Sequence, residues 1–254
     1  MLDPTKRFSN RVENYTKYRP TYPPAIIPLL ERECGLTPAS VIADLGSGTG
    51  LLSELFLKHG NQLFGVEPNP EMRLAGEKQM RHYPNFTSVA GAAETTTLAS
   101  QSIDFITAGQ AFHWFNRERA RVEFERILKP GGWVVVAWNG FRVEASALNA
   151  SYQKLVLKYG TDYEAVRHEL VASDVQSFFA PGSCRFARFN FQQLFDREGF
   201  QGRLLSSSFA PEPGHPDYAA MLSELREIFD ANQKNGKAVF DYETELYYGQ
   251  LSVK

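Results

Sequence analysis

Apolar residues in this chain follow two rhythms. Short runs suited to buried strands occur at Val41–Leu45, Gln62–Val66, Phe86–Ala90, Ile103–Ala108 and Trp133–Trp138. Between them lie segments with apolar residues at helical spacing. These are Ala25–Cys34, closed by Gly35; Leu51–Lys58; Glu71–Arg81, with Met72, Ala75 and Met80 on or near its inner face; and a helix from Asn116 to Lys129. Asn116 is a good N-cap. Strands alternating with helices predict a parallel, doubly wound sheet. A run as apolar as Trp133–Trp138 suits a strand covered on both faces.

The rhythm changes after Trp138. From Arg142 to about Phe191 the pattern gives helices around Leu148–Tyr159 and Tyr163–Val171 and no clear strand. That stretch is too long for an ordinary connection. It reads as a helical insertion, a wall or lid over a ligand cleft. Phe191–Glu198 then reads as a helix ended by Gly199, Gln201–Phe209 as a strand, Asp217–Asn232 as an amphipathic helix and Phe240–Leu251 as a closing strand. The expected fold is α/β: a doubly wound, seven-stranded, mostly parallel Rossmann-like sheet with an antiparallel last strand and helical cap elements. Residues 1–254 are expected to form a single domain. It divides into an N-terminal arm and helix (1–36), a cofactor-binding core (37–140), the helical insertion (141–190) and C-terminal helices with the last two strands (191–254). The arm, with Phe8, Tyr15, Tyr18, Arg19, Pro20, Tyr22, Pro23 and Pro24, is too rigid and polar to be a core helix throughout and is expected to pack over the site.

Composition narrows the function. Hydrophobic residues make up 43%, enough for a sizeable core. Lys+Arg is 27 and Asp+Glu is 29, a balance that argues against a dedicated nucleic-acid binder. Cys34 and Cys184 are far apart, with neither CxxC nor metal-ligand spacing, so no metal is expected and both read as reduced thiols. Met1–Arg7 lacks the apolar core of a signal peptide, and no apolar run approaches the roughly 20 residues of a membrane span. A cytoplasmic location without membrane contact is the expectation; the oligomeric state is left open.

The chemistry centres on Asp44-x-Gly46-x-Gly48-x-Gly50, a strand running into a glycine turn and a helix. The dinucleotide pattern G-x-G-x-x-G fails here, because its third glycine falls on Leu51 or Ser53. The phosphate-loop pattern fails too, since no Gly-Lys-Ser/Thr follows. Glu67 ends the second strand about twenty residues beyond the first glycine, where an acid accepts hydrogen bonds from a ribose diol. Gly109–Phe115 lies at the carboxyl end of the fourth strand, where ligands of open α/β sheets bind.

The glycine turn, Glu67, the Gly91-Ala92-Ala93-Glu94 turn and Arg126–Gly132 together resemble the class I methyltransferases that use S-adenosylmethionine, over about residues 40–140. Tyr18-Arg19-Pro20-x-Tyr22-Pro23 and Ala111–Phe115 are similar to a small-molecule branch that includes the trans-aconitate-type methyltransferases. The resemblance implies S-adenosylmethionine as cofactor, S-adenosylhomocysteine as product and a small organic acceptor. Gly46, Ser47, Gly48 and Gly50 would meet the methionine end and Asp44 would supply a negative charge there; the alternative for Asp44 is a cap that steadies the turn. Glu67 would hold the ribose. Pro68 and Met72 would pack on the adenine, Met72 being equally suited to the core. Many members carry an acid at the position of Ala92; here Ala93 and Glu94 would have to serve, with Gln110 beyond them. Arg126–Gly132 would be a sharp turn where the helix stops and the chain reverses.

Methyl transfer from a sulfonium is an in-line displacement in which positioning supplies much of the rate. A carboxylate acceptor needs no base and a hydroxyl does. His113 is the candidate base, with a substrate hydrogen bond or a purely shaping role as alternatives. Arg19 would pair with the carboxylate of the cofactor or of an acidic acceptor, or lie on the surface of a mobile arm. Tyr15, Tyr18 and Tyr22 are expected to cap the site. Gln110-Ala111-Phe112-His113 is not the Asn/Asp-Pro-Pro-Tyr/Phe turn of adenine and glutamine methyltransferases, so a small acceptor with a carboxylate or hydroxyl oxygen is the better expectation than DNA. Two rival functions stay open: a cofactor-binding protein without catalysis, and a nicotinamide oxidoreductase.

Overall fold

The computed structural model describes residues 12–161, 163 and 172–251. Phe8 and the helix expected over Tyr163–Val171 (apart from Tyr163) lie outside the described residues. The sheet is built around β1 (Val41–Leu45), whose Ile42, Ala43 and Leu45 are completely buried. It pairs in parallel with β2 (Gln62–Val66) and β4 (Ile103–Gly109). Outside these lie β3 (Phe86–Val89) and β5 (Leu128–Phe141), again parallel. β6 (Cys184–Phe195) and β7 (Ala238–Gly249) complete seven strands in the order β3-β2-β1-β4-β5-β7-β6, with β7 antiparallel to both neighbours.

Helices cover both faces. α1 (Val12–Tyr18), α2 (Ile26–Cys34), α3 (Ser53–His59), α4 (Pro70–Met80) and α5 (Arg117–Ile127) serve the parallel half. α6 (Ala147–Tyr159), α7 (Ala172–Phe179), α8 (Arg197–Leu205) and α9 (Tyr218–Asn232) follow β5. Strand periodicity divides the core. Val134 and Val136 join Phe124 and Ile127 on one face, while Val135 and Ala137 join Ile26, Leu30 and Phe56 on the other. A third cluster, with Leu148, Tyr152, Phe200, Leu222, Phe229, Phe240 and Tyr242, ties α6, α8 and α9 to β7.

Three expectations are corrected. Pro130-Gly131-Gly132 is not a turn that separates helix from strand. α5 ends at Ile127 and β5 begins at Leu128, with the glycines inside a bulge: Ile103 faces Leu128, but Phe105 already faces Trp133. The supposed helix Phe191–Glu198 belongs mostly to β6, which starts at Cys184, within the expected helical insertion. Its inward positions Ala187, Phe189, Phe191 and Phe195 alternate at period two. The supposed strand Gln201–Phe209 is largely α8, started by Asp196, whose Oδ1 accepts the Gly199 amide at 2.8 Å.

Candidate active site

Four strand ends, those of β1, β2, β4 and β5, converge on one edge of the sheet. Beyond Leu45 the chain turns sharply at Gly46 (φ 66°), whose amide donates to the Val66 carbonyl at 2.9 Å. A Cβ at Gly46 would lie 2.6 Å from the Cβ of Ala111, so the turn can press against the end of β4 because it has no side chain there. The next turn residue that matters is Gly48, whose amide donates to Oε2 of Glu67 at 2.8 Å. Oε1 of the same carboxylate accepts the Asn69 amide, also at 2.8 Å. Asn69 in turn caps α4 by accepting the Met72 amide. Burial pushes the Glu67 carboxyl above its usual value, opposed by these two backbone donors.

Asp44 is 1% exposed. Its two oxygens accept from the Ser53 hydroxyl at 2.5 Å and the Thr107 hydroxyl at 2.9 Å, tying β1 to the start of α3 and to β4. Burial raises its carboxyl to about 6.

Three adjoining clefts open on this edge. The first is lined by Asp44, Gly46, Ser47, Gly48, Leu52 and Arg19, among others. The second, about 850 Å³, is walled by Glu67, Pro68, Met72, Ala93, Glu94 and Phe115. The third, about 1310 Å³, holds His113, Trp138, Phe141, Tyr152 and both Arg19 and Arg203. Tyr15 and Gln110 line all three. Gln110 has positive φ (55°) and pairs with the Asn139 backbone, donating to its carbonyl at 2.9 Å and accepting from its amide at 3.0 Å. The ends of β4 and β5 are thereby fixed relative to each other.

Most candidates therefore meet here, with differences. Gly50 (φ 90°) lines none of the three clefts and packs against Met80. Glu94 lines the second cleft, while its Oε1 accepts the Asn116 amide at 2.6 Å at the start of α5. The His113 ring lies against Trp114 and Trp138, with centroids 4.4 and 4.8 Å away. Arg19 is not on the surface of a free arm. Its guanidinium sits over Tyr15 and donates to the Ser206 carbonyl at 2.9 Å. Burial, then the neighbouring Arg203, lowers it to about 10.

Tyr18 does not cap the site. It points away, its hydroxyl donating to Glu198 at 2.8 Å and its ring filling a notch in α8, where a Cβ at Gly202 would come within 2.1 Å. Tyr22 lines the first cleft and packs under Gly109, where a Cβ would lie 2.5 Å from its hydroxyl. Arg203, Asn139, Tyr152 and Trp138 belong to the clefts, and the sequence reading missed them. Arg203 fell in a segment read as strand; its signal would have been a cation on the apolar face of a helix.

The residues present fit S-adenosylmethionine. The second cleft offers apolar walls and two carboxylates, Glu67 and Glu94, with no Lys or Arg among its lining residues, which suits a nucleoside without phosphates. The glycine turn leaves room that a Cβ would fill.

Comparison with known proteins agrees. Residues 43–136 match a family model described as a methyltransferase domain. A methyltransferase-like protein of Schizosaccharomyces pombe is 28% identical over 95% of this chain and 94% of its own length. A Mycobacterium bovis protein named as a methyltransferase is 34% identical over 54% of each chain. Among solved structures, a provisionally assigned type II methyltransferase from Anaeromyxobacter dehalogenans superposes with TM-score 0.63 at 21% identity, covering 93% of this chain and all (100%) of that one. The YcgJ protein of Bacillus subtilis gives 0.55 at 20% identity, covering 88% and 96%. Domain match, sheet order and cleft chemistry together support a methyltransferase that uses S-adenosylmethionine, built on a Rossmann-like sheet. No helix among the described residues is long and apolar enough to cross a membrane.

Proposed function

We propose that this enzyme methylates a small organic acceptor on a carboxylate or hydroxyl oxygen, with the cofactor across the first two clefts and the acceptor in the third. The observation that carries this reading is the continuity of the three clefts, which share Tyr15 and Gln110. When bound, S-adenosylmethionine supplies an activated methyl group. Glu67 holds the ribose with the lone pairs its two backbone donors leave free. Asp44 sits toward the methionine end and favours its ammonium. Met72, Pro68 and Ala93 wall the adenine, and Glu94 borders it.

On the acceptor side the protein's task is alignment and exclusion of water. Trp138, Phe141 and Tyr152 form the wall. His113 takes the proton of a hydroxyl acceptor; a carboxylate acceptor leaves it a positioning role. The arm motif Tyr18–Pro23 supports the narrower likeness to trans-aconitate-type enzymes, and the free thiols Cys34 and Cys184 suit the cytoplasm.

Calorimetry with S-adenosylmethionine and S-adenosylhomocysteine, followed by an acceptor screen reading S-adenosylhomocysteine release, tests the reading. Tight binding with turnover on a small acid or alcohol supports it. Binding with no turnover on any acceptor favours a binding protein, and preference for a nicotinamide dinucleotide overturns it.

A further inference from the structure

Arg19 and Arg203 line the same two clefts, the first and the third, from different elements. Neither pairs with a carboxylate among the described residues. Arg203, on α8, donates from Nε to the Tyr242 hydroxyl at 2.8 Å and from Nη1 to the Ser207 hydroxyl at 3.1 Å. Besides the Ser206 carbonyl, to which it donates at 2.9 Å, the groups acting on Arg19 are Arg203 itself and the phenols of Tyr15, Tyr152 and Tyr242. All these partners except Arg203 are neutral. Two further polar atoms at this wall, Nε of Arg19 and the hydroxyl of Tyr152, are buried without a hydrogen-bond partner among the described residues.

A guanidinium stays protonated in proteins, and burying one without a counter-charge is costly. Here Arg203 is buried, Arg19 beside it is half-buried, and the two repel. The cofactor relieves this only in part: it brings one carboxylate, but also an ammonium and a sulfonium. Asp44 lies in the first cleft with its oxygens already engaged by Ser53 and Thr107. One guanidinium is thus left for the acceptor. The rest of the third cleft is mixed, with Trp114, Trp138, Phe141 and Phe209 forming aromatic walls and Gln153, Ser207 and Ser208 among its polar lining.

We propose that Arg203 binds a carboxylate of the acceptor, and that the acceptor is a small carboxylic acid with an apolar or aromatic body. The inference rests on the methyl-transfer reading above. Planar guanidinium geometry matches a carboxylate, and the unpartnered Tyr152 hydroxyl supplies a further donor beside it. The aromatic walls take the body of the acid. The carboxylate so held is the anchor, whichever oxygen receives the methyl group.

Trp114 and Trp138 line the cleft and make binding visible by fluorescence. The full chain, saturated with S-adenosylhomocysteine, is titrated with benzoate, phenylacetate and hexanoate and with the matching amides. The expected result is saturable quenching by at least one acid, binding roughly tenfold or more tighter than its amide. Arg203→Gln, checked for native near-ultraviolet circular dichroism, should bring acid and amide to within about twofold, and Arg203→Lys should keep part of the preference. Equal binding of acids and amides by the unaltered chain overturns the proposal without any variant having to fold. An acid preference that survives in Arg203→Gln overturns the role of Arg203. Calorimetry with S-adenosylhomocysteine separates the two levels: no binding sinks the methyl-transfer reading, whereas normal binding without acid preference sinks this inference alone.

Discussion

The Gly48 amide and Glu67 are joined by a 2.8 Å hydrogen bond that links the loop after β1 to the loop after β2. The other oxygen of that carboxylate holds the Asn69 amide. One side chain thus fixes two loops on either side of the second cleft.

Glu67→Gln replaces one acceptor oxygen with an NH₂ group and leaves a backbone donor facing another donor. The expected cost is about 1–3 kcal/mol of folding stability. Cofactor affinity should fall roughly tenfold or more, a loss equivalent to one such interaction. Urea denaturation and calorimetry measure the two effects separately. An unchanged stability would contradict the clamp.

Asp44 predicts a pH dependence. Its carboxyl is raised from the ordinary 3.8 to about 6 by burial. A raised acid holds its proton more tightly in the fold than in the unfolded chain. Its stabilising contribution is therefore complete below the unfolded value and is lost as pH rises through about 6. In the cofactor-free protein, Asp44→Asn should gain stability relative to the unaltered chain between about pH 4 and about pH 7, approaching on the order of 2–3 kcal/mol. Denaturation curves at the two pH values check it, and an identical offset at both would refute the assignment.

Two glycines with similar φ should respond differently to alanine. Gly35 (φ 69°) ends α2 and has open space around it, so Gly35→Ala should cost roughly 1 kcal/mol of backbone strain. Gly46 (φ 66°) adds a 2.6 Å approach to Ala111. Gly46→Ala should destabilise more and also abolish cofactor binding, because the turn must retreat from β4. Melting temperatures and S-adenosylhomocysteine calorimetry compare the pair.

His113 lies on the acceptor side, between two tryptophan rings. His113→Ala should lower kcat/KM for the acceptor by about tenfold or more while S-adenosylhomocysteine affinity stays within about twofold. Full turnover on the true acceptor would remove it from the reaction.

The parallel half of the sheet was legible because each strand there is an apolar run bounded by a turn or cap with its own chemistry: Gly46 after β1, Glu67-Pro68 after β2, Asn116 before α5. The clefts proposed for the cofactor are lined by residues of those same turns. The other half was not legible, because its glycines do a different job. Gly199 reads as a helix stop, yet it sits inside α8, as does Gly202, which makes room for Tyr18, a partner nearly two hundred residues away in sequence. β6 is an edge strand carrying Arg185, Arg188 and Gln192 among its phenylalanines, so its period-two signal is diluted. Pro130-Gly131-Gly132 carries turn chemistry but folds as a bulge because Leu128 already pairs with Ile103. Arg203 was missed with the helix that bears it.

That helix has a wider reach than its length suggests. The same nine residues carry Arg203 and the notch that seats Tyr18, the neighbour of Arg19. Both cations of the cavity are thus placed by one short segment on the antiparallel side of the domain. Rewriting α8 to seek a new acceptor would therefore also shift Arg19 and Arg203 beside the glycine turn, where they line the first cleft.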